Sequence, residues 1–185
     1  MKKSYAALLA LALGGAAHAS DMETIFGLPI GKPVALQHCE VNFGIVRNRP
    51  CIEKRASPSA FTFVHIPYAE TPPILKKSEF LVRELDGELS AVHFTTAGIL
   101  NQDRDLQDLK AKFGQPSTIT MREVKNKLGA TLETFLATWQ TSTLMITYDP
   151  APHTLDEGVV RIETPKAREL RERTIRDQKS QERQL

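Results

Sequence analysis

The sequence predicts a two-layer α+β domain in which one helix packs against an antiparallel sheet, and three observations lead to this fold class. Strand-like alternation on both sides of Asp86-Gly87, over residues 80–95, is typical of a β-hairpin. One stretch of helical periodicity follows at residues 102–113. Four strand-like runs separated by turns then predict a meander, at residues 119–124, 132–139, 144–148 and 159–162.

The hairpin and the helix each carry local signals. In the second hairpin strand, Val92 and Phe94 fall on one face and His93 on the other, because successive side chains alternate across a strand. The helix is predicted to begin after Asn101 as N-cap and to end at Gly114, a common residue just past a helix.

The region before the hairpin is irregular. Glycine and proline recur through residues 20–73, a spacing that permits only short strands and turns. Residues 34–36 and 43–46 are candidate strands, and residues 61–66 alternate more clearly.

The first 19 residues have the pattern of a secretory signal peptide. Lys2 and Lys3 precede an uncharged apolar run at residues 5–17, and Ala17-His18-Ala19 is a small-x-small cleavage site. The apolar run is shorter than the roughly 20 residues needed to cross a bilayer. We therefore expect cleavage after Ala19, export to the periplasm, and no membrane span in the mature chain.

The sequence holds 2 cysteines, Cys39 and Cys51, and both lie after the predicted cleavage site. An even count in an exported protein favours a disulfide between them. A zinc site formed with His38 and Glu40 is the alternative, but the paired cysteine spacing typical of such sites is absent. We predict the disulfide, and neither a metal nor a cofactor.

Charged residues are distributed unevenly between the main part of the chain and its C-terminal tail. Removal of Lys2 and Lys3 from the 24 basic residues leaves 22, which balance the 22 acidic residues. Residues 166–185 carry seven basic and four acidic side chains, so they predict a charged tail that is helical or disordered. The domain boundaries are then 1–19 for the signal peptide, 20–165 for a single α+β domain and 166–185 for the tail. Neutrality and few aromatic residues (6%) argue against nucleic acid as a partner.

No catalytic motif is found in the sequence. Serine-nucleophile, nucleotide-binding and HExxH patterns are all absent. The mature histidines are His38, His65, His93 and His153, and none is paired at helical spacing. His65 and His93 fall in predicted strands, so they could meet across the sheet. A catalytic histidine also needs a positioned partner, which the sequence does not supply, and we assign no catalytic residue.

An acidic run at the start of the predicted helix, over residues 101–108, matches a calcium loop at positions one, three and five. Leu106 stands where an EF-hand needs glycine, and Lys112 stands where it needs glutamate. We therefore interpret Asp103 and Asp105 as first-turn residues that interact favourably with the helix dipole.

The end of this helix carries a family resemblance. The pattern Leu106-x-x-Leu109-x-x-Lys112-Phe113-Gly114-x-Pro116, followed by strands, resembles small exported bacterial α+β modules of the outer-membrane assembly lipoprotein and β-lactamase-inhibitor-like group. The chain lacks the lipid-anchored cysteine and a second clear helix before the sheet. The resemblance implies a non-catalytic protein-binding module and transfers no site residues.

Two functions are therefore expected from the sequence. The first is a non-catalytic protein-binding or inhibitor-like module whose partner is another periplasmic or envelope protein. The alternative is a small periplasmic hydrolase that acts on cell-wall or peptide substrates through His65 or His93.

Overall fold

A computed structural model describes residues 24–39, 49–57 and 59–182. Its strands are β1 (Thr24–Ile25), β2 (Leu28–Pro29), β3 (Cys51–Ile52), β4 (Thr62–His65), β5 (Glu79–Leu85), β6 (Glu88–Thr96), β7 (Thr118–Lys125), β8 (Thr131–Gln140), β9 (Met145–Thr154) and β10 (Glu157–Glu163). Its helices are α1 (Gln102–Phe113) and α2 (Pro165–Glu182), and two short 3-10 turns cover Tyr68–Glu70 and Gly98–Asn101.

The predicted α+β class with an antiparallel sheet is confirmed. Eight strands form one sheet in the order β3-β4-β5-β6-β10-β9-β8-β7, while β1 and β2 pair separately. The chain leaves the sheet after β6, forms α1, and returns through the meander so that β10 lies between β6 and β9. The predicted hairpin, helix and four-strand meander are all present.

The core lies on one face of the sheet, here called the inner face. Helix α1 covers the β8–β10 half of this face through Leu106, Leu109 and Phe113, all of which are buried. The Phe113 ring lies 6.4 Å from that of Trp139, whose indole N–H donates a 2.8 Å hydrogen bond to the Gly114 carbonyl oxygen. Burial of these large apolar side chains is the main force that holds the helix on the sheet.

The N-terminal segment covers the other half of the inner face. The Phe26 ring contacts the rings of Phe80 on β5 and Phe94 on β6, at centroid distances of 5.0 and 5.1 Å. The predicted disulfide joins Cys39 to Cys51 and fixes this segment to the edge strand β3. Residues 34–36 form no strand, whereas the other candidate strand, 43–46, lies outside the described residues.

Helix α2 starts on the opposite, outer face of the sheet and is otherwise exposed. Ala167 is fully buried, and Arg168 and Arg171 are half-buried against the sheet, but residues 172–181 are all exposed. Residues 166–182 of the predicted tail are helical. None of the helices in the described residues combines the length and the apolar character needed to cross a membrane, and the predicted signal peptide lies outside those residues.

Candidate functional site

Strand alternation and strand order place a row of side chains across the outer face. His93 on β6 is paired on one side with Leu81 of β5 and on the other with Arg161 of β10. Paired residues in an antiparallel sheet point to the same face. His93 therefore lies at the centre of the outer face, between an apolar and a cationic neighbour.

His93 is part of a half-buried polar network. Its Nε2 atom lies 3.2 Å from a Glu163 carboxylate oxygen, and the Arg171 Nε–H donates to both oxygens of that carboxylate at 3.0 Å. The exposed fractions of the His93 and Glu163 side chains are 14% and 4%. Arg171 thus ties the start of helix α2 to the outer face.

Burial and neighbouring charges shift both ionisation equilibria in this network. Burial lowers the pKa of His93, and the cations Arg161 and Arg83 act in the same direction against the attraction of Glu163. Burial alone would raise the pKa of Glu163, but the hydrogen bond from His93 and the charge of Arg171 outweigh it and hold that pKa below its usual value. At neutral pH the pair is therefore a neutral imidazole that donates to an ionised carboxylate.

An aromatic ring adjoins both His93 and a cation. The Phe61 ring centroid lies 4.4 Å from that of His93, and the Arg83 guanidinium carbon lies 4.0 Å from the Phe61 ring centroid. These are the distances of a ring contact and a cation–π contact.

His65 belongs to a second group of side chains on the same face. Its Nε2 atom lies 2.6 Å from a Glu53 carboxylate oxygen, and its Nδ1 atom lies 3.5 Å from one of Glu79. His65 and His93 are separated by two strand spacings and by two residues along β5, which places their Cα atoms about 12 Å apart. The structure thus gives each histidine a carboxylate partner of its own.

The two remaining histidines lie elsewhere and are exposed. His38 forms an isolated bridge with Ile52, and His153 lies in β9. Within the described ranges, no three histidine, cysteine or acidic side chains are placed to hold a metal ion.

The structure places Asp105 in the interior instead of at the exposed start of helix α1. Its side chain is 0% exposed and accepts a 3.4 Å hydrogen bond from the Tyr148 hydroxyl. Burial raises the pKa of Asp105, although hydrogen bonds from Thr96 and Tyr148 and the charge of Arg104 oppose the shift. The helix-dipole interpretation of Asp105 is therefore incomplete, because this carboxyl is also part of the core.

An arginine of β7 connects β8 and β9 where the backbone pairing between these two strands ends. Beyond the Ala137–Tyr148 pair, β8 and β9 are no longer paired. Arg122 of β7 spans this opening, donating through both terminal nitrogens to the Asp149 carboxylate and also to the Phe135 carbonyl oxygen. The two strands therefore remain connected by a side chain where their backbone ladder ends.

Strand β7 forms one edge of the large sheet and pairs with β8 only. Six of its eight residues are exposed, and the other two, Arg122 and Val124, are half-buried. Its exposed residues include Ile119, 44% exposed, and Met121, 64% exposed. The opposite edge is β3, which has two residues and is flanked by the bridge to His38. Among the described residues, β7 is therefore the longer open edge.

Comparison with known proteins gives no relative. No family model, curated protein or solved structure matches the chain. The resemblance of residues 106–116 to the lipoprotein and inhibitor-like group remains a sequence prediction, and function has to be argued from the surfaces described above.

Proposed function

We propose that this chain is an exported, non-catalytic protein-binding module that uses strand β7 to bind an extended segment of another periplasmic or envelope protein. The observation that carries the proposal is the open edge of β7, eight residues long and exposed along most of its length. An open edge presents a row of backbone N–H and C=O groups that an added strand can satisfy.

The side chains of β7 support this mode of binding. Ile119 and Met121 lie on the same face of the strand, two residues apart, and both are substantially exposed. In β-strand addition the backbone supplies affinity, and alternate side chains supply specificity. A partner segment with apolar residues at alternate positions would cover both side chains.

Charged residues limit non-specific pairing along the same edge. Arg122 is held by Asp149, and Glu123 and Lys125 are exposed. Charges on an edge strand are a common means of preventing aggregation. We therefore expect β7 to select its partner strand rather than to pair with any extended chain.

The location of the protein is part of the proposal. Residues 1–19 have the signal-peptide pattern, and the Cys39–Cys51 disulfide fits an oxidising compartment. Cell fractionation with mass spectrometry tests this point, and we expect periplasmic protein that begins at Ser20. Cytosolic protein that retains Met1 would contradict it.

The edge-strand proposal is tested by site-specific photo-cross-linking in cells. A cross-linking amino acid at position 121 should capture one protein reproducibly, whereas the same group at Leu128, which is 93% exposed on the β7–β8 turn, should not. Binding is then measured with the purified partner. Met121→Lys should weaken it at least tenfold, whereas Leu128→Lys should change it less than twofold. Equal binding by the wild-type protein and Met121→Lys would refute the assignment to β7.

A second candidate function is a small periplasmic hydrolase that uses His93. The contact between His93 and Glu163 favours it, since a carboxylate that orients an imidazole is a common arrangement for a general base. The test is hydrolysis of peptidoglycan fragments and peptides by the wild-type protein and by His93→Gln. A hydrolytic activity that disappears in the folded variant would favour this candidate over the binding module.

A further inference from the structure

Two half-buried arginines on the outer face lack the carboxylate partner that the other half-buried arginines of the described ranges have. Within the described residues, Arg83 on β5 and Arg161 on β10 form no hydrogen bond and no ion pair. The other half-buried arginines each lie within salt-bridge distance of a carboxylate: Arg122, Arg168 and Arg171. In the part of the chain that the structure describes, Arg49 and Arg176 also lack a partner, but both are exposed. The two half-buried, unpaired cations therefore stand out on a surface that is rich in glutamate.

The sheet register brings these arginines to either side of one histidine. Arg161 is paired directly with His93, whereas Arg83 is paired with Ala91, two residues before His93 on the same strand. The Phe61 ring contacts both the Arg83 guanidinium and the His93 ring. Arginine side chains are long enough to turn toward each other over the intervening strand β6.

Arg83 is partly buried without a hydrogen-bond acceptor for its guanidinium among the described residues. Its Nε atom is buried and has no hydrogen-bond acceptor, and burial lowers the pKa of its guanidinium despite the charge of Glu163. A buried donor without an acceptor costs about 1–3 kcal/mol. Glu163 is engaged by Arg171 and His93 instead. The terminal guanidinium nitrogens of Arg83 are not buried and also have no acceptor in the described chain, so they are the atoms to which an external carboxylate would bind.

We propose that Arg83 and Arg161, with Phe61 and His93 between them, bind the carboxylate of a ligand that carries an apolar group next to it. This site is separate from strand β7 and does not depend on the function proposed for that strand. Arginine suits the task because its planar fork matches a carboxylate with two parallel hydrogen bonds. The apolar group would contact Phe63, which is 39% exposed, and the half-buried Leu81, which are paired in the same row.

Local charge favours a monoanion over a phosphate dianion. Three arginines lie on this part of the outer face, Arg83, Arg161 and Arg171, and three glutamates lie beside them, Glu53, Glu79 and Glu163. The charges of these three arginines and three glutamates balance, so the surface has no excess positive charge to offset a second negative charge. A peptide C-terminus that ends in an apolar residue has the required chemistry.

The test uses 3-phenylpropionate as the probe, with its neutral amide and inorganic phosphate as comparison ligands. Binding to the full mature chain is followed by NMR shifts of the His93 ring and of arginine side-chain groups. We expect the carboxylate to bind at least tenfold more tightly than the amide or phosphate. Equal binding of the amide would refute the carboxylate site, and tighter binding of phosphate would refute the preference for a monoanion.

Variants separate this site from general surface charge. Arg161→Met should weaken binding of 3-phenylpropionate at least tenfold, and Arg83→Met should do the same where its spectrum shows a folded protein. Arg173→Met, on the exposed part of helix α2, is the matched control and should change binding less than twofold. The proposal fails when 3-phenylpropionate does not bind the wild-type protein, or when Arg161→Met and Arg173→Met weaken binding equally.

Discussion

Substitution of Gly98 by alanine should destabilise the protein strongly for two reasons. The backbone at Gly98 has a left-handed conformation, and other backbone atoms lie close to the place where a Cβ atom would be. Gly98 lies between β6 and α1 with a φ of +71°, a region that L side chains rarely adopt. A Cβ atom there would overlap the Leu155 carbonyl oxygen and lie 2.7 Å from both the Asp156 carbonyl carbon and the Glu157 nitrogen. All three atoms belong to the backbone of the β9–β10 turn and of the first residue of β10, so no side-chain rotation can relieve the overlap.

The magnitude follows from two separate costs. The left-handed conformation costs a residue with a Cβ atom about 1–2 kcal/mol. Forcing an extra carbon into a packed site costs about 1–3 kcal/mol more. We therefore expect Gly98→Ala to lower the free energy of unfolding by about 3 kcal/mol, a large part of the roughly 5–15 kcal/mol of a typical domain.

Gly129 provides the matched control for this prediction. It has a φ of +84° in the β7–β8 turn, and a Cβ atom added there would have no other atom within 4 Å. Gly129→Ala should therefore cost only the conformational part, about 1 kcal/mol. Urea unfolding followed by fluorescence of Trp139, the single tryptophan of the chain, measures both variants. Equal losses would show that the close approach of the β9–β10 turn contributes nothing.

Three further predictions concern the disulfide, His93 and helix α2. Replacing both Cys39 and Cys51 by serine should lower the free energy of unfolding by about 3 kcal/mol, measured in urea, because the bridge closes a loop with a sequence separation of 12. Burial lowers the pKa of His93 below 6.5, so the unfolded chain takes up a proton at this residue before the folded protein does, and stability should fall as the pH drops through that value. His93→Gln should therefore reduce the change in the urea midpoint between about pH 8 and about pH 5.5. A pH dependence equal to that of the wild-type protein would contradict this. Truncation after Arg171 should shift the thermal midpoint little while reducing the helical circular dichroism signal, because residues 172–181 are exposed. A loss of several kcal/mol in the free energy of unfolding would mean that this half of the helix packs against the rest of the protein.

Elements with local signals could be predicted closely from the sequence. The predicted helix at 102–113 has the same bounds as α1, because glycine at 114 stops the helix and acids occupy its first turn. The Asp86-Gly87 turn has positive φ at both residues, 54° and 81°. This is the conformation that two-residue hairpin loops need and that Asp-Gly tolerates.

Strand β9 is longer than the sequence predicts, for an identifiable reason. It extends from Met145 to Thr154, although Pro150 and Pro152 suggest an end at residue 148. Its pairing with β8 stops at Tyr148, so the following residues have a neighbouring strand on one side only. Proline is tolerated there because its missing N–H can face away from the ladder.

The polar contacts of the candidate site could not be predicted from local patterns, since they join residues far apart in sequence. His93 and Glu163 are 70 positions apart, and they become neighbours only because β10 returns to lie beside β6. Strand alternation alone could assign His93 to the outer face but could not supply its partner. The pairing of distant strands is decided by the whole core rather than by any short segment.

Asp105 differs, because the sequence does contain a signal for its position. It precedes Leu109 by four residues and Phe113 by eight, which places it on the apolar stripe of helix α1 at the spacing that defines a buried face. A carboxyl on that stripe needs hydrogen-bond donors inside the core, and Tyr148 and Thr96 provide them. Helical spacing thus outweighs the preference of acids for an exposed first turn when both patterns meet at one residue. A charged residue on the apolar stripe of a helix should therefore be read first as part of a buried polar network.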